Sequence, residues 1–547
     1  MKGIEMLESG ELPVEGSKTW EAESPEQQEK ENTLFNPKEV KKELYEFCHY
    51  AGPPILSYAL DTGVEIICLF FVGFIGEREL AAAGLSFMLS NMTGHAVYTG
   101  FSTALGTLAA QAYGAEKFAV VGHVCQQAFI VVFASLIPIV CLWICSGTIF
   151  EWSGVPAPIA HMAGQILQIQ IMSLPPMALM QLIKVWMEAQ GILKPITVIS
   201  FLVCFSCAFF QWLFVHVNIF GIGVYGTPLA VTAAYTLGDI AFFATIFHYK
   251  MQKKTWFGWS NHTWAGLWPF LSLSVMGAGM VCLEWWSYEI LGIAGSAFGE
   301  TATAVQTVLV NFAYFMYAVP EGIAIAASAR VGNALGAGKP VAAKRAALLA
   351  MSLSFGSSLV MVLPLSLSNG TWANSFLQEE GSMILVASCT PALMLFLIFN
   401  AGYGALSGIL LGSGKQTIGF WANLVGCYLV GIPTGLFLSF KRGQGVLGLW
   451  WGMVLGIFIL FFSLSSYVLQ LDWDQLAEDA QSSIENDDVE LKSLNLTDLD
   501  QSPGGAYSAV DPEDRDTLSG EEDQAGTAPV QRDIPRDNQD LLASKRL

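Results

Sequence analysis

Gly221-Ile222-Gly223-Val224-Tyr225-Gly226 returns as Gly443-Gln444-Gly445-Val446-Leu447-Gly448, 222 residues further along a chain of 547. The same spacing, within one residue, ties Tyr113-Gly114-Ala115 and Lys117 to Leu335-Gly336-Ala337 and Lys339. It also ties Gly76-Glu77 to Gly299-Glu300, and Lys194 to Lys415. Four matches in order at almost one offset read as a duplicated unit. Between these marks lie apolar runs near twenty residues long, the length that crosses a bilayer as a helix. Twelve are expected, at about 52–75, 83–110, 120–147, 160–188, 194–217, 226–249, 267–293, 303–328, 342–366, 383–411, 416–439 and 446–470. Each copy therefore holds six, and because six is even both copies enter the membrane the same way.

Charge follows the same division. Of 46 acidic and 26 basic residues, residues 1–50 carry twelve and six, and residues 471–547 carry twenty and six, so the net charge of -20 sits in the tails. Only 13% of the chain is charged, against about 25% in soluble domains. With its positive mean hydropathy, residues 51–470 read as a polytopic all-α membrane protein in two pseudo-symmetric six-helix bundles, and an enzyme is not expected. An acidic chain with scattered bases offers nucleic acid no basic stripe. The ten cysteines lie on or beside apolar runs, without Cys-x-x-Cys spacing, so neither disulfides nor a metal is expected.

The domains expected are an acidic amino-terminal tail (1–50), a first lobe (51–249), a linker (250–264), a second lobe (265–470) and an acidic disordered tail (471–547). Residues 1–30 lack the basic start and apolar centre of a cleavable signal. Lysines and arginines, Lys184 among them, gather on the amino-terminal side and in every second loop. This places both termini in the cytoplasm. Two lobes in one membrane are the architecture of an alternating-access carrier with its substrate between them; a channel would carry a filter segment or a ring of charges.

Charges within the hydrocarbon are costly, and each is a functional candidate. The spans contain Asp61, Glu65, Asp239, Glu284, Glu289 and Glu321. Asp61 and Glu284 lie 223 residues apart, so the first helix of each lobe presents an acid at the same level. Asp61 and Glu65 share a helical face within about 40°, whereas Glu284 and Glu289 are roughly 140° apart and face different clefts. Two carboxylates as close as Asp61 and Glu65 in low dielectric are expected to hold one proton between them. Asp239 and Glu321 have an alternative reading as structural hydrogen-bonding groups between helices. Trp285, Trp286 and Tyr288 accompany the Glu284 pair, a combination suited to a weakly hydrated organic cation. Gln306, Asn311 and Asn400 are candidates for polar groups lining the cleft.

The strings CLEWWSYE (282–289), SARVGNALGAGK (328–339) and GILLGSGKQ (408–416) resemble the eukaryotic branch of the multidrug and toxic compound extrusion family over residues 51–470. The resemblance implies twelve helices in two bundles and export of organic cations or related xenobiotic and metabolite solutes in exchange for protons. It also implies proton coupling and cation binding by Glu284 and Glu289. No cofactor is expected: the energy source is a proton gradient, with sodium the open alternative. The partners expected are a cationic or amphipathic small molecule and the lipid bilayer, with the chain as a monomer in the plasma membrane or an internal acidic compartment. A lipid-linked precursor flippase and an ion channel are the alternative readings.

This chain also departs from the family, with Gly106, Asn311 and Asn400 where animal relatives carry acids and Leu411 where they carry Arg. Asp61, Glu65 and Glu321 are unusual, and a shift of coupling toward the first lobe is one expectation. Pro175, Pro176 and Pro320 are expected to bend their helices, as hinges or as plain kinks. Asn369-Gly370-Thr371 is the sequon expected to face outward. Asp537 with Leu541-Leu542 has the form of an acidic dileucine sorting signal.

Overall fold

The computed structural model describes residues 37–256, 258–259, 261–264, 266–368, 372–373 and 380–501. The Asn369 sequon and the Leu541-Leu542 tract lie outside these residues. The described residues up to Leu494 form one compact unit.

The described chain is helical. The spans are α1 (Pro37–Gly73), α2 (77–114), α3 (Phe118–Ile144), α4 (Ala157–Ala189), α5 (Lys194–His216) and α6 (Gly223–His248). The second set is α7 (Leu267–Ser296), α8 (Glu300–Gly336), α9 (Pro340–Ser368), α10 (Glu380–Gly412), α11 (Gln416–Lys441) and α12 (Val446–Leu469). Eleven of these are long and apolar enough to cross a membrane. The twelfth, α2, is interrupted: Glu77–Ser90 and Ala96–Gly114 are joined by a π turn, Asn91–His95. In α4 a 3₁₀ turn, Ile171–Ser173, precedes Pro175 and Pro176, which start the next helical segment where their missing N–H groups cost nothing.

Duplication is visible in the backbone. Gly221 and Gly223 have φ of 67° and 57°, and Gly443 and Gly445 have 69° and 55°. After α2, Glu116 takes φ 60°; its counterpart after α8, Gly338, takes 67°. A non-glycine held in that left-handed region marks a loop whose shape is set by the helices it joins.

Buried apolar side chains form two clusters. One runs from Val64 to Phe270 and includes Ile484; the other takes in Phe47, Ala51 and Leu291 to Ala480. The start of α1 thus packs on the second bundle and its remainder on the first. α11 and α12 approach through glycines, with Gly452 against Gly431 and Gly435, the small-residue contact that lets membrane helices pack closely.

Helix extends beyond the expected spans at both ends: α1 begins at Pro37, within the expected amino-terminal tail, and Trp473–Gln501, within the expected carboxyl tail, forms a helix, α13. Trp473, Leu476, Ala477, Ala480 and Ile484 recur at helical spacing and are buried. This stripe is hidden in bulk composition by the acids on the opposite face.

Candidate functional site

Glu284 lies midway along α7, with 8% of its surface exposed. Tyr403 of α10 donates to Glu284 Oε2 at 3.1 Å, and Asn423 Nδ2 of α11 donates to the Tyr403 hydroxyl at 2.9 Å. Asn423 is anchored in turn by donation to the Gly419 carbonyl at 3.1 Å. With Glu284 ionised, the chain of donors runs Asn423 to Tyr403 to carboxylate. With Glu284 protonated, Tyr403 has a second acceptor in Asn423 Oδ1 at 3.2 Å. A proton is accommodated by turning one hydroxyl, without stranding a buried polar group.

Beside Glu284 is a cavity of about 30 Å³ walled by Tyr58, Trp285, Tyr288, Tyr314, Tyr317, Phe396, Asn400 and Trp450. Tyr288 donates to Asn400 Oδ1 at 3.1 Å, and Gln306 accepts from Trp450 Nε1 at 3.0 Å. Asn400 and Gln306 thus hold the walls in place. Asn311 lies elsewhere, exposed on α8 and donating to the Thr307 carbonyl at 2.9 Å. With Thr303 and Thr307 it makes a polar stripe. A groove of about 660 Å³ at the start of α8 is lined by Glu300, Thr303 and Thr307.

Glu289 is the electrostatic neighbour of Glu65. Glu65 in turn accepts from Asn91 Nδ2 at 3.0 Å. Asn91 opens the π turn, a feature frequent at functional sites because it leaves backbone groups available. Trp286 Nε1 uses one of these, donating to the Met92 carbonyl at 2.8 Å, and Trp143 Nε1 donates to Thr93 at 2.8 Å. His95 closes the turn against Trp285 and Tyr98, with ring centroids 5.3 and 5.2 Å away. Trp286 therefore ties α7 to α2, while Trp285 and Tyr288 wall the cavity.

Asp61 and Glu65, expected to share a proton, each contact a partner on another helix. Lys184 Nζ lies 2.7 Å from Asp61 Oδ2. Lys184, expected among the loop bases, is buried within α4. Four residues on, Glu188 has Lys184, Glu321 and Asp61 as electrostatic neighbours, and Glu321 is also a neighbour of Glu284. Asp239, buried on α6, has an Oδ1 without a hydrogen-bond partner.

Sequence reasoning missed Tyr403, Asn423, His95, Lys184 and Glu188. The last two had a signal: a charge of either sign inside the apolar run 160–188 is as costly as the acids that were singled out.

At the lysine-rich end the bundles are joined. Thr107 and Gln111 of α2 donate to the Leu411 and Gly412 carbonyls at 2.7 and 3.0 Å, and Gln416 donates to Thr107 at 2.7 Å. Gly336 packs on the Gln111 backbone so closely that a Cβ would not fit. Arg330 of α8 pairs with Glu43 and Glu46 of α1 at 2.6 and 3.1 Å. Beyond the spans, Asp488 of α13 holds Lys117 at 2.7 Å and Lys492 at 2.8 Å. Burial raises the Asp488 carboxyl, but the hydrogen bonds from the two lysines outweigh it and keep the group below its usual range.

The MatE family profile matches residues 53–236 and 278–437. Protein DETOXIFICATION 16 of Arabidopsis thaliana is 32% identical over 82% of this chain and 91% of its own length. Multidrug and toxin extrusion protein 1 of Xenopus tropicalis is 30% identical over 82% of this chain and 78% of its own length. The crystal structure of the eukaryotic MATE transporter AtDTX14 superposes with a TM-score of 0.78 at 28% identity, covering 81% of this chain and 99% of that one. These relatives are transporters. Twelve helices in two bundles accord with that fold, and the chain belongs to the MatE family of multi-pass membrane transporters.

Proposed function

We propose that this chain exports organic cations, or related amphipathic solutes, by proton antiport with alternating access, and that proton and cation occupy Glu284 in turn. The observation that carries the reading is the setting of Glu284. It is held by a hydroxyl that has a second acceptor, and it faces a cavity walled by Tyr58, Trp285, Tyr288 and Tyr317. Aromatic faces and one carboxylate favour a weakly hydrated cation. At about 30 Å³ the cavity holds water rather than a drug-sized solute, so the rings must part for substrate to enter. The lysine-rich end is taken as cytoplasmic, which makes this conformer one sealed toward the cytoplasm.

The test is uptake of radiolabelled tetraethylammonium into proteoliposomes under separate proton and sodium gradients. Uphill uptake into acidic vesicles, unaffected by sodium, is the expected result. Uptake driven by sodium alone, or large currents without accumulation, would overturn it.

A further inference from the structure

The acids of the first bundle differ in the partners they meet. Asp61 lies 2.7 Å from the Lys184 ammonium, and only 10% of the Lys184 side chain is exposed. From α4, Lys184 and Glu188 face this pair; from α8, Glu321 shares Glu188 with it. From α2, His95 feels both partners and Tyr98 feels Asp61. Tyr58 of α1, Cys204 of α5 and Tyr235 of α6 complete the groups that feel Asp61. Among them Lys184 alone combines a fixed positive charge with direct contact.

We propose that Lys184 is a tethered counter-cation that occupies Asp61 throughout the transport cycle. It keeps that carboxylate unavailable to protons and to cationic substrate, and so limits the number of protons exchanged per substrate. The chemistry is that of competition: an ammonium covalently attached to the neighbouring helix is always present, whereas a proton or substrate must arrive from solution. Once the ammonium is gone, the Asp61 carboxylate, with 29% of its side chain exposed, loses its contacting counter-charge and is open to a proton or a cation. Lys184 is thus a positioning residue that sets stoichiometry. This inference rests on the proton-antiport reading above.

The experiment measures tetraethylammonium flux and proton flux together in proteoliposomes of full-length protein. Lys184→Met is expected to raise exchange by about one proton per substrate, because Asp61 joins the cycle. The double variant Lys184→Met with Asp61→Asn strands no charge and should return to the wild-type ratio. An unchanged ratio in Lys184→Met overturns the inference. Should Lys184→Met fail to fold, the double variant decides alone: the wild-type ratio supports the inference, and a lower ratio shows Asp61 already carrying protons and overturns it. Wild-type protein that moves substrate without protons overturns the antiport reading, which separates that failure from this one.

Discussion

Asp61 and Glu284 occupy matching places in the two bundles, 223 residues apart, yet meet different surroundings. Asp61 faces an ammonium; Glu284 faces a hydroxyl backed by an amide. The difference is written in α4 and α10. At the 222-residue offset, Lys184 and Glu188 fall on Leu406 and Leu410, and Gln181 falls on Tyr403. The duplicated scaffold supplies two carboxylates at matching places, and a few substitutions on one neighbouring helix give one an ammonium and the other a hydroxyl as its partner.

The largest effect expected from this comparison is on stability. Asp61→Asn leaves the Lys184 ammonium buried without its counter-charge and should cost about 3–5 kcal/mol, read by thermal unfolding in detergent. Removing both charges should recover most of it. A single-variant loss below about 1 kcal/mol would show the pair to be no stronger than a surface contact and would break the contrast.

Glu284→Gln should do the opposite, folding normally because a buried ionisable group has been removed. Proton-driven uptake should fall about 10²-fold or more, the scale for loss of a proton-carrying group. Wild-type uptake would place the exchangeable proton elsewhere. Tyr403→Phe removes the hydrogen bond but keeps the ring, and uptake is expected to drop about tenfold, as for one bond to a charged group. Equal effects of Tyr403→Phe and Gln181→Ala would erase the difference between the bundles.

Trp286→Phe deletes one donor to the π turn and should cost about 1 kcal/mol of unfolding free energy, with uptake retained. The smallest effect is at α13. Asp488 titrates below its usual range, so its contribution is present above about pH 4, the ordinary aspartate value. That contribution is lost as pH falls through the lower folded value. Protease protection of α13 should therefore differ between wild type and Asp488→Asn at pH 6 and converge under strong acid.

The twelve spans were legible because each is an apolar run bounded by Gly, Pro or Lys, and the duplicated loops set their pairing. Glu284 stands out as a candidate in the sequence because a carboxylate is conspicuous in hydrocarbon. Tyr403 and Asn423 do not, since a tyrosine and an asparagine on distant helices gain their meaning only from packing. Lys184 beside Asp61 was hidden for the same reason: spacing places side chains on one helix but says nothing of the neighbour opposite. The ordered start of the carboxyl tail was hidden because its apolar stripe is narrow and its charge high.

The π turn of α2 changes the phase of that helix. A π turn holds about one residue more than the α-helical turns around it, and one residue is worth about 100° of rotation. Everything beyond His95 is therefore wound about 100° away from where an unbroken helix would carry it. Gly106, Thr107 and Gln111 lie on the far side of this phase slip, so an alignment that counts α2 as one regular screw assigns them the wrong face. Deleting a single residue from 91–95 would take out the extra residue and leave Thr107 and Gln111 facing the Leu411 and Gly412 carbonyls, whereas winding all five residues as regular α-helix would swing them about 100° away. The seal between the bundles would then open, with the chemistry of the sealing side chains unchanged.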